Sequence, residues 1–146
     1  MPITSIRRSA LLPYSAKQMY ELVNDVEAYP QFMDGCKASR IVRSDEWQME
    51  AELELEKGGF THRFTTLNTL RPYERVELAL KDGPFEHLSG AWQFMPLRED
   101  ACKVSLDLEF AVRSGLLSSA AGTLFERVAS RLVDAIAVRA EAIYRP

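Results

Sequence analysis

Residues 47–56 read Trp47-Gln48-Met49-Glu50-Ala51-Glu52-Leu53-Glu54-Leu55-Glu56. Apolar and polar side chains alternate without a break. A strand turns successive side chains to opposite faces, so this segment has one apolar face and one row of carboxylates. The same period of two returns near the end of the chain. Val104, Leu106, Leu108, Phe110 and Val112 alternate there with Lys103, Ser105, Asp107 and Glu109. Weaker alternation runs through residues 60–70, 75–81 and 88–95. The links between these runs are short and carry turn residues: Ser44-Asp45, Gly58-Gly59, Arg71-Pro72-Tyr73, Asp82-Gly83-Pro84 and Arg98-Glu99-Asp100. Short links join antiparallel neighbours, because a parallel crossover needs about a dozen residues. Residues 37–112 are therefore predicted to form an antiparallel meander of about six strands. Residues 3–12, with Ile3, Ile6 and Leu12, supply a seventh.

After Ser114-Gly115 the period changes to 3.6. Leu117, Ala121, Leu124, Val128, Leu132, Ala135, Ile136 and Ile143 form one apolar stripe, predicting a helix from Leu116 to Tyr144 of about 43 Å. A second, shorter helix is signalled near the start. Ser15 and Gln18 have the spacing of a capping box, and Met19, Leu22, Val23 and Val26 follow at helical spacing. It is expected to run to Asn24 with one more turn over 25–29, ended by Pro30. A twisted sheet with one wet face needs something to cover its apolar face, and the long helix supplies it. The predicted class is α+β: a curved antiparallel sheet of six to seven strands wrapped around one C-terminal helix, a single domain over residues 1–146.

Composition agrees with that size. The chain has 146 residues, 47% hydrophobic and 27% charged, enough for a core that needs no metal or disulfide staple. The longest uncharged run, residues 114–125, falls short of the about 18–20 apolar residues of a membrane span. Two isolated cysteines, Cys36 and Cys102, and no export-type segment point to a cytoplasmic protein with free thiols. A net charge of −3 argues against broad nucleic-acid binding, DNA included. His62 and His87 make no metal-ligand pattern with the cysteines. No metal and no required cofactor are expected. The row Glu50, Glu52, Glu54 and Glu56 is expected to be a solvated strand face, since like charges at that spacing need water.

The order of elements resembles the helix-grip fold of START-like lipid-transfer and polyketide-cyclase proteins. In detail the chain resembles the coenzyme-Q-binding and ribosome-association-toxin family. The blocks that carry this are Pro13-Tyr14-Ser15-Ala16, Val23-Asn24-Asp25-Val26, Tyr29-Pro30-Gln31-Phe32, Gly35-Cys36, Asp82-Gly83-Pro84-Phe85 and Trp92-Gln93-Phe94. The resemblance implies a non-enzymatic protein that binds a hydrophobic molecule, a ubiquinone or similar isoprenoid quinone, in support of respiration or quinone biosynthesis. That is the first reading; the alternative the resemblance implies is a toxin-like protein that binds the large ribosomal subunit and hinders subunit association. A polyketide cyclase or dehydratase is a third reading. It lacks an obvious inward-facing acid–base pair, with Arg8, Asn68 and Gln93 the polar residues able to turn inward.

Candidate site residues follow from the apolar surplus. On the concave face these are Trp47, Met49, Phe64, Leu78, Trp92, Phe94, Leu108 and Phe110. On the long helix they are Phe125 and Val128, together with Ala121 and Gly122 in its thin first turns. A glycine inside a helix costs about 1 kcal/mol relative to alanine. Small residues there either leave volume unfilled, enclosing a cavity, or let another backbone come close; the sequence leaves both open. Pro30, Phe32, Met33, Pro84 and Phe85 sit on connectors and are candidates for an apolar entrance touching ligand or membrane. That lip would place the protein at the inner face of the membrane. The same residues can instead tuck under as a small satellite core. Arg127 and Arg131, one turn apart, with Arg139 and Arg145 further on, are ordinary solvated arginines or an rRNA-contacting patch.

Overall fold

The computed structural model describes residues 3–144. Arg145 lies outside the described residues. The chain runs β1 (Thr4–Leu12), α1 (Ala16–Asn24), a 3-10 helix (Val26–Gln31), β2 (Cys36–Ser44), β3 (Gln48–Lys57), β4 (Phe60–Arg71), β5 (Arg75–Asp82), β6 (Phe85–Arg98), β7 (Ala101–Val112) and α2 (Leu116–Tyr144). The strands form one sheet in the order β1-β7-β6-β5-β4-β3-β2, antiparallel throughout. β1 leaves β7's side and the chain crosses to the far edge through α1 and the 3-10 helix before the meander begins. The result is the antiparallel sheet wrapped around one C-terminal helix that the alternating periods predict, and the helix-grip arrangement that the resemblance implies.

Local chemistry fixes the corners. The Ser15 hydroxyl accepts from the Gln18 amide at 3.1 Å, and the Gln18 side chain accepts from the Ser15 amide at 3.0 Å. This reciprocal pair satisfies two free donors of the first turn of α1. Gly58 and Gly59 form a two-residue hairpin loop with φ of 60° and 84°, a backbone that side chains with a Cβ resist. Pro30 lies inside the 3-10 helix rather than after it. The segment closes instead through the Phe32 and Met33 amides, both donating to the Tyr29 carbonyl.

Inward parity follows the alternation. Leu53 faces Phe64, Val76 faces Trp92, and Trp92 faces Leu106 across successive strand pairs. α2 crosses this concave face and buries Ala121, Phe125, Val128, Val133, Ile136 and Ala140. The buried stripe is offset from the predicted one. Leu117 and Ile143 are exposed and Leu132 and Ala135 half-buried, while Ala129, Val133 and Ala140, outside the predicted stripe, are buried. Gly90 marks a close approach of two strands. A Cβ there would stand 2.1 Å from the Asp107 carbonyl oxygen, so only glycine lets β6 and β7 approach so closely.

The convex face of β3 differs from the expected solvated row. Glu50 is buried and paired with Lys81 and Arg43; Glu52 pairs with Arg40 at 3.1 Å, Glu54 with Arg63, and Glu56 with Lys37 at 3.1 Å. A bulge between Ile41 and Arg43 shifts the alternation of β2 by one residue. Arg43 therefore comes opposite Glu50, just as Arg40 stands opposite Glu52. Cations from β2, β4 and β5 balance the carboxylates. Lys81's hydrogen bond, with Arg43 beside it, holds the Glu50 carboxyl below the usual carboxylate range.

Candidate functional site

Between α2 and the concave face lies a cavity of about 80 Å³. α2 contributes Phe125, Val128, Ala129 and Leu132. The sheet contributes Ala51, Leu53 and Leu55 of β3, Phe64, Thr66 and Asn68 of β4, and Val76 and Leu78 of β5. Leu88 and Trp92 of β6 and Leu106 and Leu108 of β7 complete the floor. The C-terminal half of α1 and the 3-10 segment cover the far side with Val23, Asn24, Val26, Tyr29 and Met33. The void has a simple cause. Large rings gather at one end, where Phe85 meets Phe64, Phe110 and Phe125 edge-on with centroids 5.8, 5.9 and 5.1 Å apart. Beside that cluster the facing residues Ala51, Thr66 and Ala129 are short, and nothing fills the space above them.

The lining is apolar with one polar spot. The Thr66 hydroxyl donates to Asn68 Oδ1 at 2.8 Å, and both residues are buried on the floor. Among the described residues the Asn68 side chain has no other hydrogen-bond partner. Asn24 spends its amide on the Tyr20 carbonyl at 3.1 Å. The buried Tyr29 hydroxyl donates to the Val23 carbonyl, pinning the 3-10 segment to the end of α1, and burial raises its pKa. Burial also pushes the neighbouring Cys36 thiol up to about 11, and Cys102 is raised for the same reason. Both thiols are free, buried and protonated near neutrality. The lining carries no carboxylate, imidazole, amine or thiol. Such a wall can take the apolar body of a molecule and offer one hydrogen-bonding point at Asn68. Among the described residues no group of three or more His, Cys, Asp or Glu is arranged to hold a metal ion.

Six of the candidate residues on the concave face and long helix line the cavity: Phe64, Leu78, Trp92, Leu108, Phe125 and Val128. Met49, Phe94, Phe110 and Ala121 are buried core beside it. Trp47 does not join them. β3 begins only at Gln48, and Trp47 sits in the preceding turn, 59% exposed, with its amide donating to Asp45 Oδ1. Gly122 serves close approach rather than a cavity, because a Cβ there would stand 2.5 Å from Val112 Cγ1. Of the proposed entrance, Met33 lines the cavity and Pro84 is half-buried in its turn. Pro30 is exposed on the 3-10 helix, outside the lining. Phe32 is held edge-on to Tyr29 and under the Arg139 guanidinium, 5.3 Å from its ring centre. Phe85 is no lip at all. Gly83, with φ of 148°, folds the turn onto Phe64 and drives Phe85 into the ring cluster at 2% exposure. Arg8 and Gln93 are exposed, so Asn68 alone of the three polar candidates faces inward. The sequence reading misses Ala51, Thr66 and Ala129 in the lining. The inward parity of Ala51 is readable, but the signal that marks the void is the small size of these residues rather than bulk.

This arrangement of sheet and helix has known counterparts. The model of the family described as polyketide cyclase / dehydrase and lipid transport matches residues 12–137. The chain belongs to that family. Within the polyketide cyclase / dehydrase and lipid transport family, one relative is the ribosome association toxin RatA of Pseudomonas aeruginosa. It is 46% identical over 141 residues, covering 97% of this chain and 98% of its own length. Another is the mitochondrial coenzyme Q-binding protein COQ10 homolog B of Xenopus laevis, 31% identical over 140 residues. That match covers 93% of this chain and 57% of the relative. Among solved structures, the Zhui aromatase/cyclase of a Streptomyces species superposes with a TM-score of 0.84 at 17% identity. It covers 99% of this chain and 97% of that one, a likeness of fold. No helix among the described residues is long and apolar enough to cross a membrane.

Proposed function

We propose that this chain is a ribosome-associating protein that binds the large subunit in the cytoplasm and hinders subunit joining. The observation that carries this is its 46% identity, over nearly the whole of both chains, to a relative named ribosome association toxin. The test is co-sedimentation of purified chain with isolated large subunits at moderate salt, followed by a subunit-joining assay.

A second reading has its own observation, the apolar cavity. α2 and the sheet hold the apolar part of a small molecule, with Asn68 meeting a carbonyl or hydroxyl on it. The relative named coenzyme Q-binding supports an isoprenoid quinone as the class. Ligand pockets are usually about 300–1,000 Å³, so the cavity of about 80 Å³ is a closed form. α2 and the 3-10 segment must move apart to admit a quinone. The lining without acid–base groups supports binding rather than catalysis. Native mass spectrometry with solvent extraction of freshly purified protein tests this; a quinone released on denaturation supports the reading, and repeated ligand-free preparations from quinone-containing cells sink it.

A further inference from the structure

Beside one flank of α2, three cations gather outside the site described above. Lys57 at the end of β3 and Arg127 and Arg131 on α2 line a surface pocket of about 200 Å³ together with Leu124, Val128, Asp34 and Gly35. Among the described residues these three cations have no ion-pair or hydrogen-bond partner. The fifth charged neighbour, Glu56, is already held by Lys37 at 3.1 Å. Three cations set against Asp34 and the already paired Glu56 leave a local surplus of positive charge in this concavity.

This pocket adjoins the apolar cavity. Val128 lines both. Gly35 stands against it on the other side, where an added Cβ would come within 2.8 Å of Val128 Cγ2. One valine side chain thus forms part of the partition between a cationic vestibule and a dry interior. The antiparallel register also puts Lys57, the 58–59 hairpin, the 83–84 turn and the start of α2 at one end of the sheet. That end exposes large apolar side chains: Phe60 at 65%, Leu116 at 86% and Leu117 at 69%. Exposed apolar residues beside unpaired cations are the composition of a surface that meets a lipid interface.

We infer that Lys57, Arg127 and Arg131 form a phosphate-binding site for the head of an amphiphile whose apolar chain passes Val128 into the cavity. The inference rests on the second reading above, that the cavity holds an apolar chain. Guanidinium groups match phosphate oxygens with paired, charge-assisted hydrogen bonds, and lysine adds a point charge. The geometry favours one phosphate over an RNA strand. Asp34 and Glu56 share the concavity and would repel a run of phosphates, while a single head can sit among the three cations.

The test uses Trp92, which lines the cavity, as reporter in a Trp47→Phe background, so that it is the only tryptophan. Octyl phosphate, octanol and inorganic phosphate are titrated against this protein and against the same protein with Arg127→Gln and Arg131→Gln. Both arginines are exposed, so the variant keeps its core. Octyl phosphate is expected to shift Trp92 emission and to bind tighter than octanol. The double variant should weaken octyl phosphate by about ten- to hundredfold, the worth of charge-assisted hydrogen bonds, and leave octanol unchanged. Equal binding of octanol and octyl phosphate, indifferent to the variant, overturns the phosphate site and spares the apolar cavity. No Trp92 response to either alkyl probe removes both. If the variant loses large-subunit binding but keeps octyl phosphate affinity, the arginines serve RNA and the inference falls. Phosphatidylglycerol vesicles then separate the sources of the head. Vesicle binding lost with Leu116→Ser and Leu117→Ser supports the site with a lipid surface as donor. Octyl phosphate binding without vesicle binding supports it with a free amphiphile.

Discussion

Filling the cavity should make the protein more stable and less able to bind. Ala129 is buried on the face of α2 that looks into the void, with Ala51 and Thr66 among the facing residues. An unfilled cavity costs about 24 cal/mol per Å³, so a volume of about 80 Å³ represents about 2 kcal/mol of lost packing. Ala129→Leu places an isobutyl group there on a helix that accepts leucine readily. The gain is at most about 2 kcal/mol, or a melting temperature raised by about 4–8 °C for a chain of this size. The same side chain occupies the volume an apolar ligand would take, so the Trp92 response to octanol should disappear. Thermal unfolding followed by circular dichroism gives the first quantity, and fluorescence titration the second. Overpacking a tight core costs about 1–3 kcal/mol. A melting temperature that falls by the corresponding amount would mean that no void exists beside Ala129. A stabilised variant that still binds octanol would mean that the ligand sits elsewhere.

Phe85→Ala should cost about 3–5 kcal/mol, as truncation of a buried ring does, whereas Phe32→Ser, on a half-buried ring, should cost clearly less; urea unfolding midpoints of the two single variants check the difference. Gly122→Ala should destabilise because its new methyl meets Val112, by about 1–3 kcal/mol, and Val112→Ala in the same chain should recover part of that loss; a neutral Gly122→Ala would contradict the close approach. Glu50 has a folded-state pKa lowered by Lys81 and Arg43, so its contribution to stability is present above the ordinary carboxylate pKa of about 4.3 and is lost as pH falls through the folded value. Glu50→Gln should therefore be less stable than the parent at neutral pH, with the gap closing in acid; a gap independent of pH would exclude the ion pairs as its source.

The fold was legible because two periods and five short links leave little freedom. Alternation assigned the inward face of β3 and β7 without error, and Ser15 with Gln18 marked the start of α1. The site was legible only in part, for three physical reasons. Parity holds within a strand and not beyond its end, so Trp47 was extrapolated into a turn. Bulky residues draw the eye to the ligand space in a sequence, but bulk fills space, and the void lies over Ala51, Thr66 and Ala129. The Asp82-Gly83-Pro84-Phe85 segment has the composition of an exposed turn. Its direction depends on Gly83 lying against Phe64 and on Phe85 opening β6, facts of tertiary packing that no local pattern carries. Gly122 shows the reverse case. Its oddity in a helix was visible in the sequence, and only the position of Val112 decided between cavity and close approach.

The measurement that bears most directly on the ribosomal reading is a sucrose gradient of purified large and small subunits under joining conditions, run with and without the chain. The chain is expected to migrate with the large subunit, and the joined particle to be depleted in proportion to the amount added. A chain that stays at the top of the gradient while subunits join in full would contradict it.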